Sequence, residues 1–185
     1  MKVKIYTESL DYLSTNLLVL PFFHGIKPLK GTIGFIDWRL NSFLSKLIIR
    51  EKIEGRFFEK ILIPPMERIP AERILLTSLG EFSSIDPIKI IDFSYRVMET
   101  VHKISFSNFS MAIPVETEKL KNAKEIIEAI FKGVDKFAVK VGICEFLDNL
   151  RITFVLDRTR QPLAFEHLSN YLSARSSATQ SLINA

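Results

Sequence analysis

Three short apolar runs in this chain end on proline: Leu17-Leu18-Val19-Leu20 before Pro21, Ile61-Leu62-Ile63 before Pro64 and Pro65, and Met111-Ala112-Ile113 before Pro114. Proline has no amide hydrogen and a fixed φ, so it cannot extend a hydrogen-bonded ladder, and each run reads as a strand with a defined end. Between the runs lie longer segments whose apolar residues recur at spacings of three and four, the period of an amphipathic helix. Strands separated by helices need crossover connections, which predicts an α/β fold with a mixed or largely parallel sheet and helices on both faces.

The strands are expected over 2–6, where Val3 and Ile5 alternate with lysines, and over 16–20, 57–63, 73–79, 109–113 and 150–156. Residues 25–34 read as a loop. Asp37 is the expected N-cap of one helix that buries Leu40, Phe43, Leu44, Leu47 and Ile48 and ends within 50–55. Asp86 before Pro87 marks a second helix, since a capping side chain followed by a proline favours a helix start. Its expected inward stripe is Ile88, Ile91, Tyr95, Met98 and His102. Leu120, Ala123, Ile127, Ile130 and Phe131 mark a third helix, and residues 137–146 read either as its prolongation or as a strand. A last helix is expected from 162 to about 175, with Leu168, Tyr171 and Leu172 inward. The polar tail 176–185 is expected to fray, leaving residues 1–175 as a single domain.

Composition narrows the function classes. With 185 residues, 47% of them hydrophobic and 25% charged, the chain has the material for one ordinary soluble core. Its 15 phenylalanines are scattered, as in an aromatic core rather than a stacking platform. The formal charge of +4 raises nucleic-acid binding, but acids and bases interleave, as in Arg50, Glu51, Lys52, Glu54 and Arg56. The densest basic group, Lys119, Lys121 and Lys124, stands among Glu116, Glu118 and Glu125, the pattern of a solvated helix face. Weak nucleic-acid binding is accordingly the third function considered. One cysteine, Cys144, forms no internal disulfide, and with three dispersed histidines it makes no structural zinc site. No apolar run reaches the roughly 20 residues of a membrane span, and no secretory leader is evident, so a cytoplasmic location without membrane contact is expected.

Three blocks carry a resemblance to a known family. The first is Gly31, Gly34 and Asp37-Trp38-Arg39-Leu40-Asn41 with Leu44 and Ser45. The second is Gly55-Arg56-Phe57 leading into Ile61-Leu62-Ile63-Pro64-Pro65, and the third is Ala71-Glu72-Arg73-Ile74-Leu75-Leu76 with Leu79-Gly80. In this order they resemble the N-terminal domain of the leucine aminopeptidases, over roughly residues 16–156. The resemblance implies a three-layer α/β/α fold similar to the macro domains, many of which bind ADP-ribose. It also implies that the family's two-metal chemistry belongs to another domain. The metal signature Asn-Thr-Asp-Ala-Glu-Gly-Arg occurs nowhere in this chain.

The function expected is therefore that of a non-catalytic, stand-alone relative of that domain, without cofactor or metal, which associates with itself or with another protein, including an aminopeptidase. The alternative is an ADP-ribose-like nucleotide at the Gly31 to Asp37 corner, with Gly31, Thr32, Gly34 and Asp37 as the candidate ligand-binding residues. Amides at a helix N-terminus favour anions there. Against it, the segment after Pro114 has no glycine for a second phosphate loop and carries Glu116 and Glu118, while Thr117 reads as a helix cap. His102 is expected to be buried on its apolar stripe, Cys144 to be a packed thiol, Trp38 to be core and Arg39 to form an ion pair inside the domain.

Overall fold

In the computed structural model the chain is described over residues 1–8, 10–113, 123–142, 145–156 and 162–183. The strands are β1 (Lys2–Tyr6), β2 (Thr15–His24), β3 (Lys60–Ile63), β4 (Ala71–Glu81), β5 (Asn108–Ala112) and β6 (Arg151–Val155). The helices are α1 (Gly31–Arg39), α2 (Phe43–Ile49), α3 (Pro87–Lys103), α4 (Ala123–Val141), α5 (Glu145–Asn149) and α6 (Pro162–Ile183). The strands form one mixed sheet in the order β1-β6-β5-β2-β4-β3, parallel throughout except for the antiparallel edge strand β3.

β2 lies inside the sheet and is buried on both faces, so its side chains alternate between two cores. Leu17 and Val19 join Phe93, Val97, Val101, Ile127, Phe131 and Leu168 from α3, α4 and α6. Leu18 and Leu20 join Ile33, Ile36, Leu40 and Leu44 from α1, α2 and the turn between them. Helices thus cover both faces, in the three-layer α/β/α arrangement expected.

Several boundaries differ from the sequence reading. β2 runs through Pro21, which stands opposite Thr77 of β4. On its other side β2 pairs with β5 only at Leu17, Leu18 and Val19, so a proline beyond Val19 removes no ladder bond there. β3 starts at Lys60 rather than 57, because Phe58 takes a left-handed φ of 60°. The single helix expected from Asp37 is two helices, broken where Asn41 and Ser42 are both left-handed. Residues 137–141 continue α4, which ends at Gly142 (φ 68°), whose amide bonds the Ala138 carbonyl at 3.0 Å. α6 extends to Ile183, past the expected end near Arg175. The Asp86 cap is as expected, its carboxylate accepting the Lys89 amide at 2.7 Å.

The buried stripe of α3 is rotated from the expected one. Ile90, Phe93, Val97 and Val101 face the sheet, Met98 is buried with them, and Ile88 is 75% exposed. Ile91 and Tyr95 are half-buried against α4, where Gly133 makes the helices approach closely. His102 is exposed rather than buried, its ring resting 4.6 Å from that of Phe146 and 5.8 Å from that of Phe137. Cys144, Thr117 and the Glu116 to Glu118 segment lie outside the described residues. Among the described residues no helix is long and apolar enough to cross a membrane.

A Cβ on Gly133 would stand 2.4 Å from the Ile91 carbonyl oxygen and 2.7 Å from Ser94 Cβ. Backbone cannot yield there without separating α3 from α4, so Gly133→Ala should destabilise the fold by about 1–3 kcal/mol despite alanine's better helix propensity. A urea titration measures this, and an unchanged or raised midpoint would contradict the close packing.

Candidate functional site

The corner from Gly31 to Asp37 is α1 itself, not a loop. Gly31 opens the helix with a φ of 62°, a conformation that suits glycine, and the preceding Lys30 is an extended N-cap residue without a side-chain capping bond. A Cβ on Gly34 would lie 2.5 Å from the Leu29 carbonyl oxygen, so glycine here lets the helix pack on its own entering loop. Asp37 is nearly buried in the last turn of α1 and is not an N-cap of its own helix. Its carboxylate accepts the Ser45 amide at 3.0 Å and the Ser45 hydroxyl at 2.5 Å. Ser42, the N-cap residue of α2, provides no side-chain bond, and Asp37 takes over that task from across the break.

The four candidate residues therefore separate. Thr32 lines a small cavity between the C-terminal ends of β2 and β5, Gly31 opens the helix that carries it, and Gly34 and Asp37 hold the corner together. The cavity has a volume of about 60 Å³, with walls from Phe22, Phe23, Leu29, Ile33 and Ile113 and with Lys30 at its side. It admits a small ring or a few waters, not a whole dinucleotide.

The outer side of α1 is the unexpected part. Ile33, Ile36 and Leu40 follow the inward spacing, and Trp38, two residues after Ile36, is turned about 200° away from it. Trp38 is consequently 70% exposed and not core, and Phe35 beside it is 38% exposed, with ring centroids 6.0 Å apart. Arg39 bonds the Arg68 carbonyl at 3.3 Å, and Arg68 bonds the Arg39 carbonyl at 3.2 Å, which fixes the turn after β3 against the end of α1.

A second concavity lies on the other side of β2, toward β4, and sequence reading did not single it out. Here His24, the last residue of β2, sets Nδ1 2.7 Å from the Glu54 carbonyl and Nε2 3.3 Å from Glu81. Gly55 makes this possible, since a Cβ there would be 2.7 Å from Nδ1. The segment under the imidazole is held by Glu59, whose carboxylate accepts the amides of Glu54, Gly55 and Arg56 at 3.0, 2.7 and 3.1 Å. Gly55-Arg56-Phe57 was visible as a motif, but nothing in the sequence ties it to His24. Among the described residues no group of three or more His, Cys, Asp or Glu side chains is placed to hold a metal ion.

Partial burial pushes the Glu59 carboxyl upward, but the three amides favour its charged form more strongly, and its pKa falls below the ordinary 4.5. A carboxylate depressed in the folded state contributes stability above the unfolded pKa and loses it as pH falls through the folded value. Glu59→Gln should thus cost about 1–3 kcal/mol at neutral pH, with the gap to the parent closing below about pH 4. Paired denaturation curves at pH 7 and pH 3 test this, and a gap independent of pH would refute it.

No protein-family model matches the chain. It is 23% identical over 142 residues to the probable cytosol aminopeptidase of Alkaliphilus metalliredigens, covering 74% of this chain and 28% of that protein. The chain thus spans little more than a quarter of that curated relative's length. Among solved structures, a mutant of tomato leucine aminopeptidase superposes with a TM-score of 0.60 at 16% identity, over 91% of this chain and 35% of that one. The Trypanosoma brucei macrodomain in complex with ADP gives 0.65 at 14% identity, over 91% and 68%. A mutant Oceanobacillus iheyensis macrodomain with ADPR gives 0.65 at 14%, over 92% of both chains. The protein has a macrodomain-like α/β fold, and its sequence is similar to part of the cytosol aminopeptidases.

Proposed function

We propose that this domain acts by protein association, through the outer face of α1, and hydrolyses no peptide itself. The observation that carries the reading is the exposed Phe35 and Trp38 pair. Clustered apolar side chains at a surface mark interaction sites, and tryptophan is prominent among residues that carry binding energy. Met66, 39% exposed in the turn that Arg39 and Arg68 hold to α1, widens the face. The partner is a second copy of the chain or another protein, with the cytosol aminopeptidases first in line because the sequence similarity is to them.

Sedimentation velocity of the chain alone and mixed with a purified cytosol aminopeptidase tests the reading. A concentration-dependent oligomer or a mixed complex is expected, weakened by about 2 kcal/mol or more in Trp38→Ser. Because Trp38 is exposed, the variant should keep the parent's thermal midpoint. A monomer in both samples sinks the proposal, and metal-dependent release of N-terminal residues by the purified chain sinks its non-catalytic part.

A second reading is favoured by the cavity between β2 and β5, which lies at the C-terminal ends of parallel strands, where α/β folds place ligands. An ADP-ribose-like nucleotide would insert its ring there, with Lys30 beside its phosphates. ADP-ribose at a hundred times its dissociation constant should stabilise the fold by about 2.7 kcal/mol. The absence of any thermal shift at millimolar ADP-ribose or ADP removes this reading.

A further inference from the structure

We propose that the cleft framed by His24 is a binding site of its own, for a small molecule that carries an anionic group on an apolar body. It lies on the β4 side of β2, whereas the α1 cavity lies on the β5 side, and the inference stands independently of both functions proposed above. Its volume of about 740 Å³ is within the range of small-molecule sites.

The backbone around the cleft is unusual. Gly25 (φ 78°), Gly55 (φ 88°) and Gly80 (φ 76°) come from three separate parts of the chain and all line it, as does Glu51, a non-glycine residue with a φ of 53°. Glycine takes a positive φ without strain, so of these four only Glu51 holds a conformation that its surroundings must impose, and such residues gather at ligand sites. At Gly55 the absence of a side chain makes room for the docked imidazole of His24. At Gly25 a Cβ would meet nothing within 4 Å, so the mouth of the cleft is open there.

The charges are equally specific. His24, Lys27, Arg56 and Lys89 face Glu51, Glu54 and Glu81 around the cleft. Arg56 is paired with Glu54 and His24 with Glu81, which engages two of the three carboxylates. Lys27 is exposed and Lys89 half-buried, and neither has an ion-pair partner among the described residues. An anionic head is drawn to these two lysines, while Ile48, Ile49 and Phe57 offer apolar wall to the rest of the ligand. The class that fits is an organic phosphate or carboxylate.

Amide correlation spectra of the intact chain, titrated with phenyl phosphate, benzoate, inorganic phosphate and phenol, test the assignment. Phenyl phosphate or benzoate should shift the amides of Gly25, Gly55 and Gly80 saturably at millimolar concentration, with inorganic phosphate and phenol at least tenfold weaker. The double variant Lys27→Glu with Lys89→Glu should weaken the better ligand at least tenfold, and Lys30→Glu, beside the other cavity, should leave it unchanged. Lys27 is exposed and Lys89 half-buried, and neither makes an ion pair among the described residues, so an unchanged spectrum of the double variant away from the cleft reports an intact fold. The proposal is overturned by the absence of saturable shifts, by shifts confined to residues 31–33, by equal binding of the anion without its apolar body, or by undiminished binding in the double variant.

Discussion

Everything in this fold depends on β2 being buried from both sides. Leu17, Leu18, Val19 and Leu20 are fully buried, and because successive side chains point to opposite faces, the same four residues nucleate two separate cores. One core is roofed by α3, α4 and α6, the other by α1 and α2. Parallel neighbours on both sides, β5 and β4, require their connecting helices to return across the sheet. Both concavities then open beside the C-terminal end of this one strand, whose residues Phe22 and Phe23 wall the first and whose His24 frames the second.

Much of the architecture was legible because it rests on local chemistry. The apolar runs, the Asp86 cap and the buried Ile127, Ile130 and Phe131 of α4 follow directly from residue type and spacing. What the sequence did not disclose were decisions made by tertiary neighbours. Pro21 stops no strand because β5 has already ended beside it, a fact about another strand. The α3 stripe is rotated because α4 competes with the sheet for the apolar side chains, so Ile91 and Tyr95 belong to a helix pair and Ile88 to solvent.

The candidate site was less legible than the fold. One of its four residues, Thr32, lines the cavity, whereas Gly31 opens α1 and Gly34 and Asp37 serve the chain itself. A buried aspartate close after a glycine pair reads as a helix start only while the helix is assumed to be continuous. Once Asn41 and Ser42 break it, the same carboxylate becomes the missing cap of the next helix. The break also decides the place of Trp38, because α1 is oriented by Ile33, Ile36 and Leu40 and the indole falls on the outer side. The clamp around His24 joins residues 24, 54–55 and 81, a separation at which no periodicity operates.

The sheet's two edges bear on how copies of this domain can meet. β3 has only four residues, bounded by the left-handed Phe58 and by Pro64 and Pro65, and it presents the exposed Lys60. At the far edge β1 presents Lys2 and Lys4, also exposed. A short, lysine-bearing strand is a poor template for a foreign strand, since pairing would set cation against cation and leave most amides unmatched. The sheet is therefore closed to growth without being closed into a barrel, and contact between molecules is left to helix surfaces.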